Sequence, residues 1–141
     1  MPVPLSSIVY PSAVPDLFSP DGIASWQAML RDSDDFRAAA GRWSGTLVLI
    51  EGDAGNPTRA TWLALADGAI AEARPAGPDD QEQAEFVLSA EAQTWADLVA
   101  GRDELLTAAF RGALRLERGQ VFRLLPHARA ASAMLRAAGG A

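Results

Sequence analysis

The dipeptide Asp67-Gly68, set between two short runs of strand-forming residues, does most to narrow the folds open to this chain. A two-residue Asp-Gly loop is a tight hairpin signal, because its central positions need positive φ. Before it, Arg59 to Ala66 reads as a strand with Thr61, Leu63 and Leu65 on one face and Trp62 on the other. After it, Ala69 to Arg74 reads as the returning strand. Upstream, Trp43 to Ile50 is rich in Thr, Val, Ile and Leu, and Gly52-Asp53-Ala54-Gly55-Asn56-Pro57 turns it into the next strand. Pro75 to Gln83 is an acidic surface loop, and Glu85 to Leu88 is a short fourth strand. The four together read as a meander.

Helical patterns flank it. Ser19 or Asp21 can cap a helix with Pro20 in its first turn, and Ile23, Trp26, Gln27 and Leu30 fall on one face. Ser33 or Asp34 can cap a second helix holding Phe36, with Gly41 as its stop. Downstream, Ser89 is expected to cap a helix whose buried stripe is Ala92, Trp95, Leu98 and Val99, ended by Gly101. Asp103 is expected to cap the next helix, ended by Gly112. Leu114 and Leu116 then alternate with Arg115 and Glu117 along a half-exposed strand. Val121, Leu124 and Leu125 begin a last helix that Pro126 breaks and that Ala130, Ala131, Met134 and Leu135 resume. The expected architecture is α+β, a five-stranded, largely antiparallel sheet covered by helices.

Length and composition bound the rest. The 141 residues are one domain's worth. Residues 1–20 hold Pro2, Pro4, Pro11, Pro15 and Pro20 and read as an extended arm, with the domain proper over 21–138. The arm is expected to pack along the domain surface; a lid or a docking strip is the alternative. No apolar run is long enough to span a bilayer, and the start lacks a basic then apolar leader, so a cytoplasmic location is expected. There is no cysteine, which excludes thiol chemistry and Cys-based metal sites. There is no lysine, which excludes a Schiff base. A net charge of −6 argues against nucleic acid as a partner.

Catalytic constellations are absent from the pattern. His127 is the only histidine, so no multi-histidine metal site can form. A surface or capping role is the plain reading for it. No Gly-x-Ser-x-Gly elbow occurs. The adjacent acids Asp34-Asp35 and Asp79-Asp80 fit helix starts or loops, where neighbouring side chains diverge. No catalytic residue, metal or cofactor is assigned.

Four stretches in this order resemble the sterol carrier protein 2 family: Phe36 to Thr46 leading into the first strand, Trp62 to Gly68 across the hairpin, Leu88-Ser89-Ala90 with Trp95 to Arg102, and Gly112 to Leu116. The resemblance spans about residues 21–136. It implies a five-stranded sheet with an apolar tunnel beneath flanking helices, and carriage of sterols, acyl chains or acyl-CoAs, with no shared catalytic residues. Arg118-Gly119-Gln120 departs from the Gly-Asp step usual after the last strand, and Gly139-Gly140-Ala141 lacks a peroxisomal address.

On that resemblance, the residues expected to line a tunnel are Phe36, Trp62, Leu65, Trp95, Phe110, Leu114, Leu116, Phe122, Leu125, Met134 and Leu135. The expected partner is a hydrophobic small molecule or lipid, with a transient membrane or enzyme contact. The arginines Arg115, Arg118, Arg123, Arg129 and Arg136 are candidates for meeting a lipid headgroup, a CoA phosphate or a membrane. The alternatives to a carrier are an enzyme that uses the tunnel as a reaction chamber and an accessory module of a larger enzyme complex.

Overall fold

Five strands, β1 (Gly45–Asp53), β2 (Asn56–Ala66), β3 (Ala69–Pro75), β4 (Phe86–Ala90) and β5 (Leu114–Arg118), form a single sheet in the order β3-β2-β1-β4-β5. The structure is a computed structural model and describes residues 16–139. β1, β2 and β3 are antiparallel neighbours, as the two turns require. β4 departs from the expected four-strand meander. It lies on the other side of β1 and pairs with it in parallel, while β5 pairs antiparallel with β4. A hairpin turn cannot join parallel neighbours. The connection from β3 to β4 instead crosses the outer face of the sheet, where Ala76 and Ala84 pack.

The helices are α1 (Pro20–Asp32), α2 (Asp34–Ala40), the single turn α3 (Asp80–Gln83), α4 (Ala92–Ala100), α5 (Leu105–Phe110), α6 (Val121–Leu124) and α7 (Ala128–Ala138). Their starts follow the local chemistry in two cases. Ser19 Oγ accepts from the Gly22 N–H at 3.0 Å with Pro20 in the first turn, and Ser33 Oγ accepts from the Phe36 N–H at 3.1 Å. Two expected caps are corrected. Ser89 lies inside β4, fully buried, and donates to Glu117 Oε2 at 2.5 Å, so α4 starts after Glu91 instead. Asp103 stands one place before the N-cap of α5, where its carboxylate accepts from the Glu104 N–H and pairs with Arg111. Pro126 falls in a 3₁₀ turn, Leu125–His127, that separates α6 from α7.

Alternation along the strands sorts the core into two clusters. Leu47, Leu49, Leu63, Leu65, Phe86 and Leu88 face inward beneath the helices. Val48, Ile50, Trp62 and Val87 face outward beneath the crossing connection. β1 is therefore buried on both faces, which is why its sequence is a continuous apolar run rather than an alternating one. α7 is the hub of the helical layer and touches α1, α2, α4 and α5. Its buried alanines (Ala130, Ala131, Ala137 and Ala138) let the neighbouring helices approach closely around Met134 and Leu135. The Trp26 indole N–H, on α1, donates to the Met134 carbonyl oxygen at 2.7 Å.

Leu17 and Phe18, which the sequence places in the arm, are buried in the inner cluster. Residues 1–15 of the arm lie outside the described residues.

Candidate ligand-binding cleft

A cleft of about 400 Å³ opens where the inner face of the sheet meets α4. Its lining comes from three places. Asp16, Leu17 and Phe18 form a strap before α1; Glu51 and Arg59 come from the end of the β1–β2 hairpin; Ala92, Gln93, Trp95, Ala96 and Val99 come from α4. Trp95 forms a buried wall. Its indole N–H donates to the Ile50 carbonyl oxygen at 2.9 Å, which pins α4 to β1. Phe18 meets the Trp95 ring edge-on, with centroids 6.1 Å apart.

The strap is held by polar contacts. The Thr61 hydroxyl donates to the Leu17 carbonyl oxygen at 2.7 Å. Arg59 Nη1 donates to Asp16 Oδ2 at 2.7 Å, and its Nε and Nη2 reach the two Glu51 carboxylate oxygens at 3.1 and 3.0 Å. The guanidinium lies 5.3 Å from the Phe18 ring centroid. Glu51 and Arg59 are register partners across the hairpin, so their pairing follows directly from strand pairing.

Burial of Asp16 opposes its ionisation, but the Phe18 N–H and the Arg59 guanidinium outweigh it and hold the carboxyl pKa below its ordinary value. A depressed acid contributes its stabilisation in full above the unfolded pKa and loses it as pH falls through the folded one. The strap contact is therefore expected to persist through the ordinary aspartate range and to release only below it. The Phe18 amide, which donates to Asp16 Oδ1 at 2.9 Å, reports this directly. Its NMR shift should titrate with a midpoint below the ordinary aspartate pKa of about 3.9. A midpoint at or above that value would show that the contact does not form in solution.

Among the residues expected to line a tunnel, Trp95 lines the cleft. Phe36, Leu65, Leu114, Met134 and Leu135 lie in the inner core, and Leu116 packs half-buried against it. Trp62 sits in the outer cluster, with its indole N–H on Glu72 and the Arg74 guanidinium over its ring. The sheet separates it from the cleft, because residues of odd and even position on β2 face opposite ways. Phe110, Phe122 and Leu125 point outward, with exposures of 85%, 79% and 40%. Sequence reasoning missed Asp16, Glu51, Arg59, Gln93 and Ala96 as lining residues. The hairpin register could have brought Glu51 and Arg59 together; nothing local could have added Asp16.

The His127 ring stacks on the Trp43 ring, nearly parallel, with centroids 4.5 Å apart. Among the described residues, no three His, Asp or Glu side chains gather as a metal site, and no helix is long and apolar enough to cross a membrane.

No family model matches the chain, and neither does any curated protein. Solved structures do. The chain is similar to a crystal structure of sterol carrier protein 2, with 34% identity over 87% of this chain and 97% of that one and a TM-score of 0.73. It is similar to the solution structure of a conserved hypothetical protein from Thermus thermophilus, described as a candidate sterol carrier protein, with 30% identity, 89% and 90% coverage and a TM-score of 0.72. A part of the sec-alkylsulfatase Pisa1 from Pseudomonas shares the fold at 21% identity and a TM-score of 0.53, over 77% of this chain and 16% of that one.

Proposed function

Because the chain belongs to the sterol carrier protein 2 family, we propose that it is a non-enzymatic carrier that takes up one hydrophobic ligand through the cleft at α4. The cleft itself carries this reading. Its volume falls within the usual range for small-molecule sites, and an apolar wall of Trp95, Val99 and Phe18 leads from it toward the inner core. The ligand's chain would run between sheet and helices, displacing adaptable side chains such as Met134. A membrane-derived chain gains little by this transfer, because it leaves one apolar medium for another, so loading and release are nearly balanced. A reaction chamber would need polar groups free to act inside. The buried polar side chains described, Thr61 and Ser89, are already bonded to Leu17 and Glu117.

Native mass spectrometry of the purified protein, followed by organic extraction, tests the reading. The expected result is a discrete added mass that extracts as a lipid. An empty protein that also takes up no fluorescent lipid would remove it.

Exchange with a membrane asks for an exposed apolar surface, and α6 with the 3₁₀ turn after it supplies one. Val121, Phe122 and Leu125 face outward, while Leu124 anchors the segment in the core. The last 37 residues carry six arginines against one acid, Glu117, so this quarter of an acidic chain is the part least repelled by anionic lipid. Phe122→Glu is expected to weaken binding to phosphatidylserine-containing vesicles by about tenfold. Thermal stability should hold, because Phe122 is 79% exposed. Unchanged co-sedimentation with the vesicles would remove α6 from the reading.

A second reading, an accessory module of a larger enzyme, is favoured by one observation: the fold recurs as a segment of a much longer alkylsulfatase chain. Deleting residues 1–15, which leaves the strap of Asp16, Leu17 and Phe18 and the Ser19 cap in place, and comparing the proteins that co-purify tests it. An unchanged set of partners would remove the arm's support for it.

A further inference from the structure

We infer that the charged rim of the cleft selects the headgroup of the ligand, favouring an uncharged, hydroxyl-bearing lipid over one that ends in a carboxylate. The inference rests on the carrier reading and narrows it. The rim holds two carboxylates, Asp16 and Glu51, against one guanidinium, Arg59. That guanidinium is already engaged. Its Nε and Nη2 face Glu51 at 3.1 and 3.0 Å, its Nη1 faces Asp16 at 2.7 Å, and its Cζ lies over the Phe18 ring, 5.3 Å from the centroid. Arginine is the residue that most often clamps a carboxylate, and here the protein's own acids occupy the clamp.

The rim therefore carries a net charge of about −1 when both acids are ionised. Asp16 stays ionised through the neutral range, because the Phe18 N–H and Arg59 favour its charged form despite burial. Glu51 is the more enclosed of the two, with a side-chain exposure of 14%, so its field is less screened by solvent. A carboxylate headgroup entering here gives up its hydration and meets like charge. A hydroxyl meets no such repulsion. It can donate to a remaining lone pair of either acid.

One feature of the rim pulls the other way. α4 begins at the cleft, and its N-cap, Glu91, makes no side-chain capping bond. The first-turn N–H groups of a helix attract an oxygen, with the effect of roughly half a positive charge. That is smaller than the net charge of the paired acids, so it does not reverse the selection. It supplies a place for the oxygen of a hydroxyl whose proton points to Glu51 or Asp16. Gln93, in the same turn, has its Nε2 engaged, donating to Asp97 Oδ1 at 3.0 Å.

The test uses the full chain and two ligands with the same chain, oleyl alcohol and oleate, each displacing a neutral fluorescent fatty-alcohol probe at neutral pH. The alcohol is expected to compete at about tenfold lower concentration, equivalent to about 1.4 kcal/mol. Glu51→Gln should bring the two ligands within about threefold, by strengthening oleate and leaving the alcohol almost unchanged. Arg59→Gln should widen the gap instead. Damage to the fold would move both ligands together, whereas a charge effect moves their ratio in opposite directions in the two variants. A wild-type preference for oleate, or a ratio that neither variant changes, overturns the inference and leaves the carrier reading intact. Failure of the wild type to bind either ligand overturns both.

Discussion

Replacing Trp95 by alanine is expected to destabilise the protein by about 3–5 kcal/mol, the usual cost of removing a buried aromatic side chain. Trp95 is 2% exposed, and it holds α4 to β1 through its bond to the Ile50 carbonyl oxygen. It also supports Phe18, so the cleft loses both its wall and the platform of its strap. A domain of this size has roughly 5–15 kcal/mol in all, so the change should move the urea midpoint far down. Trp95→Phe keeps most of the volume and removes the hydrogen bond, and should cost only about 1–2 kcal/mol. An alanine variant that loses less than the phenylalanine variant's expected amount would mean that α4 is held by other contacts.

Gly68→Ala should be strongly destabilising although it adds only one methyl group. Gly68 has φ +81°, a region that costs a side-chain-bearing residue about 1–2 kcal/mol. A Cβ there would also fall 2.1 Å from the Gly41 carbonyl oxygen, a backbone atom that cannot swing aside. Its amide donates to the Trp43 carbonyl oxygen at 2.8 Å, so the hairpin is tied to the segment that it would strike. Overpacking of this kind adds about 1–3 kcal/mol. Gly101→Ala is the control. Gly101 has φ +77°, but its added Cβ would meet only Arg136 Cδ, at 3.6 Å, an ordinary contact. Chemical denaturation of both variants should show Gly68→Ala to be the worse by about 1–3 kcal/mol. Equal losses would mean that the hairpin moves freely away from Gly41.

The hairpin, the alternation of β2 and the apolar face of α1 were all legible, because each depends on residues within one or two turns of one another. Trp62 and Leu65 were correctly put on opposite faces, yet both were expected at one tunnel. The period-2 rule says that two side chains diverge; it does not say which face the helices will cover. Ser89 misled for a related reason. Serine before a helical stripe is a good cap signal, but β4 continues through Ala90 because both of its faces are buried. The exposed Phe110 and Phe122 look in the sequence like any other core residues.

The sequence alone determines most of the elements and the two faces of β2, and carries enough ordered punctuation to identify the family. These are set by local sterics and by side-chain direction relative to one backbone. Long-range packing decides that β4 joins β1 in parallel, that α7 gathers the helices, and that Asp16, 43 residues from Arg59, completes the rim of the cleft. Burial and charge pairing belong to surfaces made by distant segments. No periodicity within one segment carries that information.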